Sequence, residues 1–293
     1  MRPASPGPGD RAPVVTFLSD FGLTDEFVGV VHSVIRRALP GAEIVDLAHE
    51  VPPCSVRAGA RVLARAAPYL APEVVLAVVD PGVGSRRRRI ALAAGDLVMV
   101  GPDNGLLVEA ADVLGGVSAA VELDRRDLWP TTESTTFDGR DVFAPVAAAL
   151  AAGAALDDVG TRVDPATLVR LPPPPVERRP DGLRVEVTWV DRFGNLELGC
   201  TWSEVESLAG ELTAVAGGRS WPVRPVASFT GAGTAAAGGP LGLLRDSAGA
   251  PSLVLDGDSA AAATGLAVGG VVELRRRRPT GEIAPSRGQE ETA

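Results

Sequence analysis

Short apolar runs alternate with helical periodicity from Val14 to about residue 152. Continuous runs of Val, Leu and Ile bounded by Gly, Pro or acidic residues predict buried strands at Val14–Ser19, Glu43–Leu47, Val74–Val79, Ile90–Ala94, Leu97–Gly101 and Ala119–Leu123. Between them Phe27, Val30, Val31, Val34 and Ile35 mark one helix face, and Val56, Ala60, Leu63 and Ala67 mark a second. A third helix is expected after Asp141, through Val142, Val146, Ala149 and Leu150. This alternation predicts a layered α/β domain with a mostly parallel sheet over residues 13–165. Residues 166–182 contain Pro172 to Pro175 in a row and read as a stiff linker. Beyond it, Leu183–Val190, Leu196–Cys200, Glu211–Ala216, Trp221–Val226, Leu241–Leu244, Ser252–Leu255 and Val271–Leu274 are short strands separated by Gly-rich turns. They predict a small all-β, barrel-like domain over 183–278. The ends, 1–12 and 279–293, lack apolar periodicity and are expected to be disordered.

Composition sharpens this picture mainly by exclusion. A net charge of −9 argues against nucleic acid as a partner and suits a cationic ligand. Every one of the 28 basic residues is arginine, which removes Schiff-base chemistry and a P-loop lysine together. With only His32 and His49 in the chain, a multi-histidine metal site is not expected. Cys54 and Cys200 lack CxxC partners and are expected to stay reduced. No window approaches the roughly 20 apolar residues of a membrane helix, and Met1 to Ala12 has no hydrophobic signal core, so a cytoplasmic location is expected.

Four polar clusters follow apolar runs. The Val74–Val79 strand ends on Asp80, then Pro81-Gly82-Val83-Gly84-Ser85 and four arginines, Arg86 to Arg89. Ligands in open α/β sheets sit beyond the carboxyl ends of such strands, which places Asp80 in reach of one, whereas a charge run alone is usually a solvated flank. In Ser19-Asp20-Phe21-Gly22-Leu23-Thr24-Asp25, Asp20 is placed to accept two ribose hydroxyls, and Thr24 or Asp25 reads equally as a helix cap. Phe137-Asp138-Gly139-Arg140-Asp141 precedes an alanine-rich helix, where Asp141 can serve as an N-cap. Asp191-Arg192-Phe193-Gly194-Asn195 alone is an ordinary turn. The Gly82-Val83-Gly84 turn lacks dinucleotide spacing, so no Rossmann cofactor is expected.

Together and in order, these clusters resemble the S-adenosylmethionine hydroxide adenosyltransferases, adenosine-forming hydrolases that share a fold with the fluorinase and chlorinase. The stretches Asp46-Leu47-Ala48-His49 and Gly101-Pro102-Asp103-Asn104-Gly105-Leu106-Leu107 add to the match, which runs from about Val14 to Leu274. For His49 a structural role near a strand end is the favoured reading. The resemblance implies a homotrimer with active sites at subunit interfaces. It also implies attack of water or hydroxide on the ribose C5′ of S-adenosylmethionine, giving adenosine and methionine. The sulfonium is already a good leaving group, so no cofactor, metal or covalent nucleophile is expected, and positioning of a water would supply most of the rate. By the same resemblance Asp20 binds ribose, while Phe193 stacks on the adenine and Asn195 hydrogen-bonds it. Asp25, Asp191 and Ser247 contact the methionine end, and Asp80 and Arg87 hold the water.

Two positions depart from the family pattern. Asp138 replaces the histidine of Phe-His-Gly-Arg-Asp, and Asp246-Ser247-Ala248-Gly249 stands where Asn-Ser-x-Gly is usual. Asp138 is expected to orient the water or accept its proton, and to repel Asp80 by about 4 kcal/mol at 4 Å and an effective dielectric near 20. An anionic pocket, Gly139 in place of the fluorinase's halide-contacting serine, and no long insertion between Ser85 and Gly101 all argue against halogenation. The competing readings are a binding protein for S-adenosylmethionine or adenosine with weakened catalysis, and an arginine-rich anion binder, which the acidic balance disfavours.

Overall fold

The computed structural model describes residues 12–70, 73–129, 135–208, 210–235 and 238–277. The expected disordered ends, 1–12 and 279–293, lie outside these residues apart from Ala12. The chain divides into two compact units, Met1–Pro172 and Pro173–Ala293, with the division inside the expected linker.

The first unit carries strands β1 (Val14–Ser19), β2 (Glu43–Ala48), β3 (Val74–Val78), β4 (Arg89–Ala94), β5 (Leu97–Pro102), β6 (Ala119–Glu122) and β7 (Thr161–Arg162). Its helices include α1 (Phe27–Ala38), α2 (Val56–Ala66), α3 (Val108–Val113) and α4 (Ala144–Ala151). The sheet order is β2-β1-β3-β5-β4-β6-β7. The β2–β1, β1–β3 and β3–β5 pairs are parallel, whereas β5–β4, β4–β6 and β6–β7 are antiparallel. The sheet is therefore mixed rather than mostly parallel. The physical reason is the short Gly95-Asp96 turn between β4 and β5, which permits only an antiparallel return.

Alternation along the central strands sends successive side chains to opposite faces. Val15 and Phe17 of β1 and Val74, Leu76 and Val78 of β3 pack with Val31 and Ile35 of α1 and Val146 and Ala147 of α4. On the other face a Cβ at Gly59 of α2 would lie 2.8 Å from Val79 Cγ2 and 2.9 Å from Leu106 Cδ1, so glycine lets this helix sit close to the strand end that carries Asp80. Each fully buried Leu, Ile or Phe is worth about 1.5–3 kcal/mol of transfer free energy, which fixes the frame on which the polar loops stand.

The second unit contains β8 (Val176–Arg179), β9 (Gly182–Val190), β10 (Leu196–Leu198), β11 (Leu212–Ala216), β12 (Arg219–Pro225), β13 (Leu241–Arg245), β14 (Pro251–Val254) and β15 (Val271–Arg276). The order β10-β14-β13-β12-β11-β15-β9 closes through a β10–β9 pairing into a seven-stranded barrel, with β8 attached to β9 outside the ring. Leu183, Val185, Val187, Leu196, Leu253, Val272 and Leu274 fill its core. The expected linker is thus shorter than 166–182. Once Pro172 to Pro175 end, Val176 to Arg179 recover their N–H donors and pair with β9.

Candidate active site

Because β1 and β3 are neighbours in parallel register, Ser19 opposite Val78, the loops after them begin side by side. Asp20 and Asp80 stand in those loops, and the Asp20 N–H donates to the Val78 carbonyl at 3.3 Å. One carboxylate oxygen of Asp20, Oδ2, accepts the Cys54 N–H at 2.8 Å. The turn after Asp80 is closed by Val83 N–H to the Asp80 carbonyl, 3.2 Å, and Ser85 N–H to the Gly82 carbonyl, 3.0 Å. Asn104 secures the preceding strand end, donating from Nδ2 to the Val79 carbonyl at 2.8 Å.

Arg87 clamps Asp80 with a two-pronged contact, Nε to Oδ1 at 2.9 Å and Nη2 to Oδ2. The same Nη2 donates to Asp138 Oδ2. Arg89 then grips Asp138 from Nε to Oδ2 at 2.9 Å and from Nη2 to Oδ1 at 3.1 Å. Both carboxylates are nearly inaccessible, Asp80 with 5% and Asp138 with 4% of side-chain surface exposed. Burial acts to lower the Arg87 pKa, but Asp80 and then Asp138 outweigh it and hold the guanidinium above its ordinary range. Arg87 Nη1 is buried with no hydrogen-bond partner among the described residues.

This arrangement corrects the expected repulsion between Asp80 and Asp138. Two carboxylates meet two guanidiniums, so the cluster is balanced rather than anionic, and charge alone no longer argues against a halide. A packing argument takes its place: a Cβ at Gly139 would lie 3.1 Å from Phe21 Cζ and 3.3 Å from Phe137 Cε2, so a serine there requires both rings to give by a few tenths of an ångström. Phe137 packs edge-on against Phe21 and Phe27 at 5.6 and 5.3 Å, joining the Asp138 turn to the segment that carries Asp20.

Arg89 is the member of this charge cluster that sequence reasoning missed. Its signal is the strand period of two: Arg87 and Arg89 both reach Asp138, while Arg88 between them turns to Asp103, Nε to Oδ2 at 2.8 Å. Asp25 is exposed and does not cap α1, whose N-cap position is Glu26 without a side-chain bond. Asp141 is buried and paired with Arg140 at 2.6 Å rather than acting as a cap. His49 is buried, with Nδ1 at 2.7 Å from Ser19 Oγ and Nε2 at 3.0 Å from Asp46 Oδ1. His32 Nε2 reaches the same Asp46 oxygen at 2.7 Å, so the two histidines, expected to be too few for a metal centre, converge on one carboxylate.

In the second unit, Asp191 builds the turn between β9 and β10. Its Oδ1 accepts the N–H groups of Phe193 and Asn195, both at 2.9 Å, and its Oδ2 accepts from Asn195 Nδ2 at 2.7 Å. Gly194 adopts φ +84°, and a Cβ there would meet Ser259 Oγ at 2.0 Å. The result presents Phe193 at the surface of its unit, the residue being 78% exposed. Ser247 is exposed in a turn organised by Asp246, whose Oδ1 accepts from Ala248 N–H at 2.8 Å and Ala250 N–H at 2.9 Å. An asparagine Oδ1 performs those two acceptor tasks equally, whereas Asp246 Oδ2 also accepts from Ser252 Oγ at 3.3 Å, which an amide nitrogen cannot do.

A sequence model described as the SAM hydroxide adenosyltransferase N-terminal domain matches residues 15–160. An (R)-S-adenosyl-L-methionine hydrolase from Salinispora tropica is 56% identical over 68% of this chain and 77% of its own. A relative of the same name from Thermus thermophilus is 42% identical over 89% of this chain and 98% of its own. The crystal structure of an uncharacterized protein from Thermotoga maritima superposes with a TM-score of 0.80 at 32% identity, covering 89% of this chain and all of that one.

Proposed function

The chain belongs to the SAM hydroxide adenosyltransferase family, and from that premise we propose that it hydrolyses S-adenosyl-L-methionine to adenosine and L-methionine by attack of water at the ribose C5′. The observation that carries the reading is the Asp80–Arg87 clamp at the carboxyl end of β3, beside Asp20 at the end of β1. The sulfonium leaves as neutral methionine thioether, so the site has only to hold a water in line with the C5′–S bond and to stabilise charge as the C–O bond forms. The reaction needs no cofactor, because the leaving group arrives already activated.

In this reading Asp80 orients the water and receives its proton as the new bond forms, and Arg87 fixes Asp80. A fixed water would also satisfy Arg87 Nη1. Asp138 becomes a positioning residue instead of a base: it is gripped by two guanidiniums where Asp80 meets one, and through its bond to Arg87 Nη2 it holds Arg87 in place. Asp20 receives the ribose hydroxyls through Oδ1, and Phe193 offers its face to the adenine. Asn195 Oδ1, without a partner among the described residues, accepts from the adenine amino group. Asp25 and Ser247 remain the methionine-end contacts, and Asp191 contributes by shaping its turn. The homotrimer and the cytoplasmic location belong to the same proposal. The free thiols of Cys54 and Cys200 suit a reducing compartment, and among the described residues no helix is long and apolar enough to cross a membrane.

The test is chromatography of products after incubating the full chain with the (R)- and (S)-sulfonium epimers separately, in chloride buffer. Adenosine and methionine should form in equal amounts, faster from the (R) epimer that the relatives' names specify. Asp80→Ala should slow turnover by about 10²–10⁴-fold. Binding heat without methionine release, or a chlorinated nucleoside as main product, would overturn the reading.

A further inference from the structure

The chain has two histidines in 293 residues, and both direct Nε2 at the same oxygen of Asp46. They come from different elements, His32 from the middle of α1 and His49 from just beyond β2, so the convergence is tertiary rather than a sequence neighbourhood. The three ligand atoms lie within 4.8 Å of one another. Tetrahedral zinc with nitrogen at about 2.0–2.1 Å needs ligand atoms roughly 3.3 Å apart; the two Nε2–Oδ1 separations, 2.7 and 3.0 Å, stand within a few tenths of an ångström of that, and the Asp46 carboxylate, with 44% of its side-chain surface exposed, is free to withdraw. We propose that His32, Asp46 and His49 form a binding site for a first-row divalent cation of the zinc class, with water completing the coordination.

Three further features suit a metal. The two imidazoles are borderline donors that favour zinc or cobalt over magnesium or calcium, and one hard carboxylate completes a set of the kind zinc accepts. His49 carries a ready outer partner: with the ring proton on Nδ1 it donates to Ser19 Oγ at 2.7 Å, which leaves Nε2 bare for the ion. Access is graded, with His49 3% and His32 23% exposed at the side chain, so one ligand is anchored and the other two face the entry path. Binding requires no net proton release when both rings start neutral. Each proton moves from Nε2 to Nδ1 through solvent, and the ion replaces the hydrogen bonds to Asp46.

The site is distinct from the reacting centre yet tied to its frame. Ser19 precedes Asp20, and the His49 carbonyl accepts the Gly22 N–H at 2.8 Å. An ion here would clip α1 and β2 to the segment that carries Asp20, and its role is structural.

The experiment uses the full chain stripped with a chelator, then titrated with Zn²⁺ and, for its visible spectrum, Co²⁺. One ion per chain should bind. Affinity should fall about 10–100-fold or more in His32→Ala and Asp46→Ala, and should survive Cys54→Ser with Cys200→Ser, the thiols being the principal alternative ligands. Because only two imidazoles exist, a long-range ¹H–¹⁵N spectrum reads both rings without any substitution. Zn²⁺ should convert both to the Nδ1–H tautomer with shifted Nε2 resonances. Unmoved rings at saturating Zn²⁺, or binding that persists in His32→Ala and disappears with the cysteines, would overturn the proposal. Hydrolysis of S-adenosylmethionine is a separate readout, so failure of either proposal leaves the other standing.

Discussion

Asp138 and Asp191 are the same side chain set to opposite tasks in the two units. Asp138 is buried and its partners, Arg87 and Arg89, lie 51 and 49 residues away in sequence. Asp191 is half-buried, and its partners Phe193 and Asn195 are two and four residues away. A carboxylate satisfied locally shapes a turn that can form with its own segment and present an aromatic ring to solvent. A carboxylate satisfied at long range exists only once β3, β4 and the π-helical segment Gly139–Phe143 that leads into α4 are assembled, and it fixes charges to within hydrogen-bond distance. The first arrangement suits adaptable recognition of a flat base; the second suits aligning a water with a carbon.

The comparison breaks most visibly at Asp138. Asp138→Ala leaves Arg87 with Asp80 alone and Arg89 without its carboxylate, and removing one partner of a buried charge network costs about 3–5 kcal/mol. Urea denaturation should show that loss together with a steep fall in turnover. Asp138→His restores the side chain usual in the family but strands Arg89, so the double change with Arg89→Ala should recover stability relative to Asp138→His alone by about 0.5–3 kcal/mol. Additivity in that cycle would mean that Arg89 and Asp138 are not one unit.

Phe193 tests the other half. Its ring is exposed and packs on little, so Phe193→Ala should change stability by no more than about 0.5 kcal/mol. Stacking of a base on an aromatic ring is worth about 1–3 kcal/mol, hence KM should rise by roughly 5- to 150-fold with kcat much less affected. An unchanged KM would remove Phe193 from the adenine site.

How much of this was legible in the sequence follows the same division. The central strands are read to within a residue or two because apolar runs are local, and the Asp191 turn is visible because its bonds span two to four residues. Strand direction is not legible: alternation gives the face of a strand and not its partner, so the pattern alone does not distinguish the antiparallel half of the first sheet from a parallel one. β7 was missed because two residues carry no period, and β8 because it follows four prolines. Arg89 was hidden in a run of four arginines that reads as a solvated flank. The 49-residue separation from Asp138 put its partner out of reach of any local rule. Conversely, the count of two histidines does not reveal that both converge on Asp46, since composition says nothing about whether two side chains meet.

The smallest effect is expected at Ser247, where the comparison can be sharpened most cheaply. The turn around it is held by Asp246, whose carboxylate accepts from Ala248, Ala250 and Ser252, while Ser247 itself is exposed. Removing the hydroxyl should therefore leave folding untouched. If Ser247 contacts the methionine carboxylate or ammonium, Ser247→Ala forfeits one hydrogen bond, about 0.5–1.5 kcal/mol, and KM should rise by roughly 2- to 12-fold at constant kcat. A substrate lacking the methionine carboxylate supplies the cross-check, because wild type and Ser247→Ala should then behave alike if the hydroxyl's partner is that group. A variant with unchanged KM for the complete substrate would confine Ser247 to the turn. Recognition in the second unit would then rest on Phe193 and Asn195, with the methionine end held by other residues.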